Sequence, residues 1–278
     1  MASCLEALNL TLCARSRLLS LPRASNFYLC NFDTQADIYD QRVGLGAATA
    51  HAIANAIGQL IMPYQHGQFL EIGAGTGEIG FFLQQLPMRY TGIDLSDGML
   101  AVYRARYADA TQIPQLIQMD ANLPWPLPAH SVSVFFSSRA MHQLDHTHVL
   151  SQLAELSAPT GAILILGNVK RAQNSAKAVM RKEMHKVLNK FGLTEKSGQT
   201  NRNQLFDALT QQGAERLAPV VAARWSVSHA PIDSIKSWES VDGIAGNAVD
   251  AATKTKNSGL VNGKRTSVIY RFTPGLGD

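Results

Sequence analysis

Cysteine, long apolar runs and strong net charge are all scarce in this sequence. Its 278 residues include three cysteines, Cys4, Cys13 and Cys30, and their spacing matches no zinc-binding pattern. We therefore expect no disulfide framework, and we take the cytoplasm, a reducing compartment, as the default location. No apolar run approaches the roughly 18–20 residues that cross a bilayer, so we expect no membrane partner.

The charge balance argues only weakly for a polyanionic partner. The formal net charge is +4. The densest basic stretch, residues 181–190, has the spacing of a solvated helix face, so charge alone does not implicate nucleic acid. RNA binding stays open as an alternative, with Lys182 and Lys186 as the residues to test.

Strand and helix patterns alternate through the middle of the chain. Apolar strand-length runs recur at residues 68–72, 90–93, 115–119, 131–136 and 162–166. Helical patterns of about ten residues separate them, except that a Pro-rich loop at residues 123–128 precedes the fourth. This alternation predicts βαβ units, and hence an α/β, doubly wound, Rossmann-like and mostly parallel sheet. Strand patterns at residues 220–228 and 266–272 raise the expected number of strands to seven.

The two ends of the chain depart from this alternation. Residues 1–31 contain several Arg, Ser and Leu and one acid, Glu6, and we interpret them as an N-terminal extension that can be mobile. We assign residues 32–278 to one domain, with a helical insertion after the fifth strand at about residues 170–215.

A glycine-rich loop follows the first predicted strand of the alternating region. Gly73, Gly75 and Gly77 stand in the pattern Gly-x-Gly-x-Gly, between that strand and a helix. Glycines allow a tight turn and let backbone approach a ligand closely. The dinucleotide pattern Gly-x-Gly-x-x-Gly fails, because its last position, counted from Gly73, falls on Glu78. The loop therefore fits a pyrophosphate poorly.

Two acids lie at the ends of the next two predicted strands. Asp94 has the spacing of a carboxylate that accepts both hydroxyls of a ribose. Asp120 follows the third strand, where an adenine amino group could donate to it. Asp94 could instead cap a helix and Asp120 could begin a turn, but three matched features in chain order favour a nucleoside site.

Four segments together resemble class I S-adenosylmethionine-dependent methyltransferases of the ubiquinone-biosynthesis-like type (methyltransferase type 11). They are Glu71-Ile72-Gly73-Ala74-Gly75-Thr76-Gly77, Gly92-Ile93-Asp94-Leu95-Ser96-Asp97-Gly98-Met99-Leu100, Asp120-Ala121 through Leu123-Pro124, and Ser137-Ser138-Arg139-Ala140-Met141-His142-Gln143-Leu144. The resemblance covers residues 32–166 closely and the remainder more loosely. An upstream segment, Ala36 to Arg42, resembles the N-terminal helical lid of that family.

The resemblance implies S-adenosyl-L-methionine as cofactor and a role for each matched residue. Glu71, Gly73, Gly75 and Gly77 would line the methionine moiety, and Asp94 would bind the ribose. Leu95 and Met99 would pack on the adenine, whose polar edge Asp120 and Ala121 would contact. Ser137 would lie near the methionine carboxylate, Tyr39 would fold over the cofactor, and Arg42 would pair with the carboxylate unless it is an exposed helix charge.

The residues that act on the acceptor are harder to assign. His142 follows the fourth strand and is the candidate general base or orienting group, although packing alone would also explain it. His146 fits a helix cap better than a metal ligand, and we expect no metal. Met180 and Met184 recur at helical spacing and, with Trp225, are candidates for an acceptor pocket or for ordinary core packing.

These patterns favour a transferase that methylates a small, partly apolar molecule on oxygen, nitrogen or carbon. Alternatives are an RNA methyltransferase, an NAD-dependent oxidoreductase, which the glycine spacing disfavours, and a non-catalytic cofactor-binding module. We expect a monomer or a homodimer.

Overall fold

A computed structural model describes residues 2–15, 45–107, 114–171 and 198–229, together with Asp33, Ala36, Tyr39, Asp40, Ala178, Lys182, Lys186 and Asn189. The chain divides into two compact units. One contains residues 6–170 and 198–225, and it holds every residue that lines the cleft described below. The other contains residues 1–5, 171–197 and 226–278, most of which lie outside the described part.

The described residues form a sheet in which five consecutive strands pair in parallel. All the strands of the sheet, numbered in chain order, are β1 (Ala2–Arg15), β2 (Gln68–Ile72), β3 (Tyr90–Asp94), β4 (Gln115–Gln118), β5 (Val132–Ser138), β6 (Ala162–Arg171) and β7 (Glu215–His229), and the parallel ones are β2 to β6. The order in the sheet is β4-β3-β2-β5-β6-β1-β7. Pairing is parallel from β4 through β6. The predicted doubly wound α/β fold is confirmed by this order, which reverses direction between β2 and β5.

Both faces of the sheet are buried, because alternate strand residues belong to different apolar clusters. Phe69, Val134 and Phe136 belong to one cluster. Leu70 and Phe135 belong to the other. Such two-sided burial is what a parallel sheet with helices on both faces requires.

The helices divide between these two clusters. They are α1 (Ala47–Leu60), α2 (Gly80–Leu83), α3 (Asp97–Ala105), α4 (His146–Leu156) and α5 (Gly198–Gln211). Apolar residues of α1, α2 and α3 pack in the first cluster, and those of α4 and α5 pack in the second. Side-chain caps begin two of them: Ser96 accepts from the Met99 N–H at 3.1 Å, and Asp145 accepts from the Thr147 N–H at 2.8 Å.

The helix that follows the glycine loop is shorter than the helical patterns of about ten residues in the sequence. It covers only Gly80–Leu83, and it does not begin at Gly75 or Gly77 because their positive φ angles of 55° and 73° lie outside the helical conformation. Strand β6, by contrast, continues five residues beyond the predicted end at Leu166.

The predictions at the chain ends stay largely untested. Strand β1 lies within the predicted extension, and the boundary near residue 31 falls outside the described residues. So do the C-terminal strand at 266–272 and most of the helical insertion. Among the described residues, no helix combines the length and apolar character that crossing a membrane requires.

Candidate active site

A cleft opens where β2, β3, β4 and β5 end. It holds about 770 Å³ of space, a volume that includes open solvent at its mouth. The carboxyl ends of parallel strands beside the reversal of strand order are the expected position for a ligand. The lining residues are Tyr39, Ile72, Gly73, Gly75, Asp94, Leu95, Ser96, Met99, Asp120, Ala121, Ser138, Arg139, Ala140, Gln143 and Leu144.

The three loop glycines have different local reasons to be glycine. All have positive φ. A Cβ at Gly73 would lie 2.2 Å from the Cβ of Ala140, and a Cβ at Gly77 would lie 2.0 Å from the buried ring of Tyr103. A Cβ at Gly75 would meet no atom within 4 Å. Gly73 and Gly77 therefore allow close packing, whereas Gly75 leaves open space in the cleft.

Asp94 connects the end of β3 to the glycine loop. Its Oδ2 accepts from the Gly75 N–H at 2.8 Å, and its Oδ1 accepts from the Ser96 N–H at 2.9 Å. Burial raises the pKa of this carboxyl above its ordinary value, and the backbone hydrogen bonds oppose the rise. A carboxylate has about four lone-pair positions. The backbone N–H groups use part of this capacity, and the rest is available to a ligand hydroxyl.

The loop after β4 is held rigidly at the other side of the cleft. Asp120 accepts from the backbone N–H of Asn122 at 2.8 Å and from its side-chain amide at 3.1 Å. The indole N–H of Trp125, a buried residue, donates to the Ala121 carbonyl at 2.9 Å. These bonds fix the backbone that would face an adenine edge.

Four residues near the N-terminal side of α1 contact the loops around the cleft. Asp33 accepts from the hydroxyl of Ser96 and from the Gly98 N–H. Asp40 accepts from the Thr76 hydroxyl and pairs with Arg106. The Leu45 N–H donates to Glu78, and the guanidinium carbon of Arg139 lies 5.7 Å from the ring centroid of Tyr39.

Arg139 and Glu78 form an ion pair inside the cleft region that the sequence did not predict. Arg139 Nη2 donates to Glu78 Oε2 at 2.7 Å, and both side chains are largely buried. Arg139 has φ 66°, which costs a residue other than glycine about 1–3 kcal/mol and occurs preferentially at functional sites. The positive φ leaves no signal in a sequence. The charge beside the strand end was visible in the motif, and Glu78 was visible as the residue that breaks the dinucleotide pattern.

Glu71 lies beneath the loop in a buried hydrogen-bonded chain. Tyr90 donates to Glu71, and the Tyr103 hydroxyl donates to that of Tyr90 at 3.1 Å. Burial raises the pKa of Glu71 to about 8, while the Tyr90 hydrogen bond opposes the rise. Below this pH the carboxyl is neutral, which allows it to remain in an apolar environment.

The structure brings eight of the predicted site residues together in the lining of the cleft. They are Tyr39, Gly73, Gly75, Asp94, Leu95, Met99, Asp120 and Ala121. Glu71, Gly77 and Ser137 lie behind the lining, and Ser138 occupies it instead of Ser137. Contact of these three residues with a cofactor stays a prediction.

The residues predicted to act on the acceptor lie elsewhere or outside the described part. His142 lies on a 3₁₀ turn, Met141–Gln143, and the residues Ala140 and Gln143 near it line the cleft. Partial desolvation lowers the pKa of its imidazole. Trp225 packs against the first apolar cluster. Arg42, Met180 and Met184 lie outside the described residues.

These groups fit a nucleoside with a charged amino-acid tail. Asp94 offers acceptor positions, and the space beside Gly75 admits a ligand against bare backbone. The buried Oγ of Ser138 and Nη1 of Arg139 have no hydrogen-bond partner among the described residues. Unpartnered buried polar atoms indicate a polar ligand group or water. Within the described part of the chain, no three His, Cys, Asp or Glu side chains are grouped as a metal site needs.

The comparison with known families agrees with this geometry. Residues 69–161, which contain the glycine loop, both strand-end acids and Arg139, match a family model described as a methyltransferase domain. The predicted resemblance to class I methyltransferases is confirmed over this segment, and the match supports S-adenosylmethionine as the cofactor.

Individual relatives are similar over part of the chain only. The chain is 33% identical over 96 residues to the hybrid PKS-NRPS synthetase phm1 of Pyrenochaetopsis. The aligned segment covers 33% of this chain and 2% of the synthetase. A SAM-dependent methyltransferase from Aquifex aeolicus aligns over 46% of this chain and 68% of its own, with 14% identity and a TM-score of 0.38. The CcbJ methyltransferase from Streptomyces caelestis aligns over 47% and 54%, with 21% identity and a TM-score of 0.38. Because both scores are low, the fold assignment rests on the strand order of this chain.

Alanine at Gly77 should destabilise the protein more than alanine at Gly75. Both substitutions place a side chain at positive φ, which costs about 1–2 kcal/mol. Only Gly77→Ala also drives a Cβ into the ring of Tyr103, and such overpacking costs about 1–3 kcal/mol more. Urea unfolding of the two variants measures the difference. Equal losses would show that Tyr103 does not constrain the loop.

Glu71→Gln should flatten the dependence of stability on pH. Between its ordinary pKa of 4.5 and about 8, Glu71 keeps a proton in the folded state that the unfolded chain has released. The free energy of unfolding of the wild type therefore falls as pH rises through this window, and glutamine removes that contribution.

Denaturant titrations at several pH values from 5 to 8 measure this slope. If the glutamine amide packs less well than the carboxyl, the free energy of unfolding falls by the same amount at every pH, and its slope against pH does not change. Glu155→Gln, on α4, controls for loss of a carboxylate elsewhere. The same slope in the Glu71 variant and the wild type would contradict the assignment.

Proposed function

We propose that this chain is an S-adenosylmethionine-dependent methyltransferase that acts on a small, partly apolar molecule. The observation that carries the proposal is the position of Asp94: a carboxylate at the end of β3, bonded to the Gly75 N–H, with free acceptor positions in a cleft. The family match over residues 69–161 supports the same activity.

Different lining residues contact different parts of the cofactor. Asp94 holds the ribose hydroxyls, Leu95 and Met99 pack against the adenine, and Asp120 with Ala121 faces its polar edge. When bound, the cofactor supplies a methyl group on a sulfonium centre that is already activated. The protein therefore needs mainly to align the acceptor with that group and to exclude water.

The contacts made by the N-terminal residues serve that exclusion. Tyr39 lines the cleft, and Asp40 and Leu45 bond to the glycine loop or to the residue that follows it. These bonds hold Asp40 and Leu45, and Tyr39 beside them, near the place where the methionine moiety would lie. In this role the three residues cover the reacting groups.

The residues that act on the methyl acceptor follow β5. His142 is the proposed base for an acceptor that enters protonated, because a lowered pKa keeps its imidazole neutral near pH 7. Ile72, Met99 and Leu144 give the cleft an apolar lining, which favours a partly apolar acceptor. Met180, Met184 and Trp225 remain proposed contacts of that acceptor.

Charge favours a small acceptor over RNA. Among the described residues, Asp and Glu are as numerous as Lys and Arg, so the small excess of positive charge comes from other parts of the chain. An RNA-binding surface usually concentrates Lys and Arg on one face.

Transfer of a labelled methyl group tests the acceptor class. The protein is incubated with methyl-tritiated S-adenosylmethionine and either the small-molecule fraction or the total RNA of a cell lysate. We expect label in the small-molecule fraction, extractable into organic solvent, and a large loss of labelling in Asp94→Asn because cofactor binding weakens.

Two other results would contradict this proposal. Label in RNA, lost on neutralising Lys182 and Lys186, would favour the RNA methyltransferase. Binding of S-adenosylhomocysteine without label in either fraction would favour a non-catalytic module.

A further inference from the structure

Arg139 is the one positive charge among the described residues that line the cleft. Asp94 and Asp120 are the acids of the same lining. A ligand that carries an anionic group at one end is repelled by the two acids and attracted to the arginine. The charges of the cleft thus favour one orientation of such a ligand.

Arg139 is also incompletely paired. Its Nη2 donates to Glu78, but within the part of the chain that the structure describes its buried Nη1 has no hydrogen-bond partner. The Oγ atoms of Ser137 and Ser138, which precede it at the end of β5, are buried and unpartnered as well. Three consecutive residues therefore present unused polar atoms, and a guanidinium is suited to a planar carboxylate.

The position of Arg139 relative to the glycine loop defines what it can reach. The next residue, Ala140, lies so close to Gly73 that a Cβ there would approach it to 2.2 Å. Arg139 is thus one residue from a direct contact with the loop, on the side of the cleft formed by β5. With a ribose at Asp94 and an adenine near Ala121, an amino-acid tail that follows the bare loop leads toward Arg139.

We propose that Arg139 binds the carboxylate of the cofactor's methionine tail, with Ser138 as a second donor. This inference rests on the proposed function. Glu78 holds the guanidinium in place through Nη2 and leaves Nη1 for the ligand. Arg139 is thus a cofactor-binding residue that selects nucleosides carrying a carboxylate.

The test compares two nucleosides that differ in this carboxylate alone. Calorimetry gives the Kd of S-adenosylhomocysteine and of its decarboxylated form, S-adenosyl-3-thiopropylamine, and the ratio of the two Kd values measures recognition of the carboxylate. We expect Arg139→Gln to lower this ratio at least tenfold and Arg139→Lys to lower it less. A general disturbance of the cleft weakens both nucleosides and leaves the ratio unchanged.

Two further variants control the measurement, and thermal melting confirms that each variant is folded. Arg104→Gln removes a surface arginine that pairs with Asp97 on α3, and it should keep the wild-type ratio. Arg42→Gln should keep most of it. A wild-type ratio in Arg139→Gln, or a tenfold fall in Arg42→Gln alone, would overturn the inference while leaving the proposed function intact. If the wild type binds neither nucleoside, the proposed function itself fails, and the inference with it.

Discussion

The bond between the Asp94 carboxylate and the Gly75 N–H is the interaction on which the site depends. It joins the end of β3 to the loop that follows β2, and thereby fixes the glycine backbone beside the acid. The second oxygen holds the Ser96 N–H at the start of α3. One side chain therefore sets the relative positions of three segments and still has lone pairs for a ligand.

Burial is what makes this arrangement sensitive to charge. Burial raises the pKa of both Glu71 and Asp94; the charge of Asp94 raises that of Glu71 further, and the charge of Asp33 raises that of Asp94. Glu71 remains neutral to about pH 8, so at neutral pH it adds no full negative charge to that of Asp94. On the opposite side, Arg139 is the one positively charged residue among the described residues of the lining, and Glu78 pairs with its Nη2. The described lining thus has Asp94 and Asp120 on one side and Arg139 on the other.

Parts of this site that are local in sequence could be predicted, and parts that join distant segments could not. The glycines, Asp94 and the Ser96 cap follow from short motifs, and the strand order follows from alternating periodicity. The ion pair of Glu78 with Arg139 and the contact of Asp33 with Ser96 join segments more than sixty residues apart, and no periodicity encodes them. Glu71 and the other residues behind the lining belong to recognisable motifs, but the sequence does not show that their side chains are buried.

The central claim is that the Asp94 carboxylate grips the sugar of the nucleoside cofactor. Isothermal titration of S-adenosylhomocysteine into the wild type and into Asp94→Asn tests it most directly, because asparagine keeps the shape of the side chain and removes the charge. The account predicts that the folded variant binds about 1–3 kcal/mol more weakly, the scale of hydrogen bonds to a charged group. Equal affinity in the two proteins would contradict it.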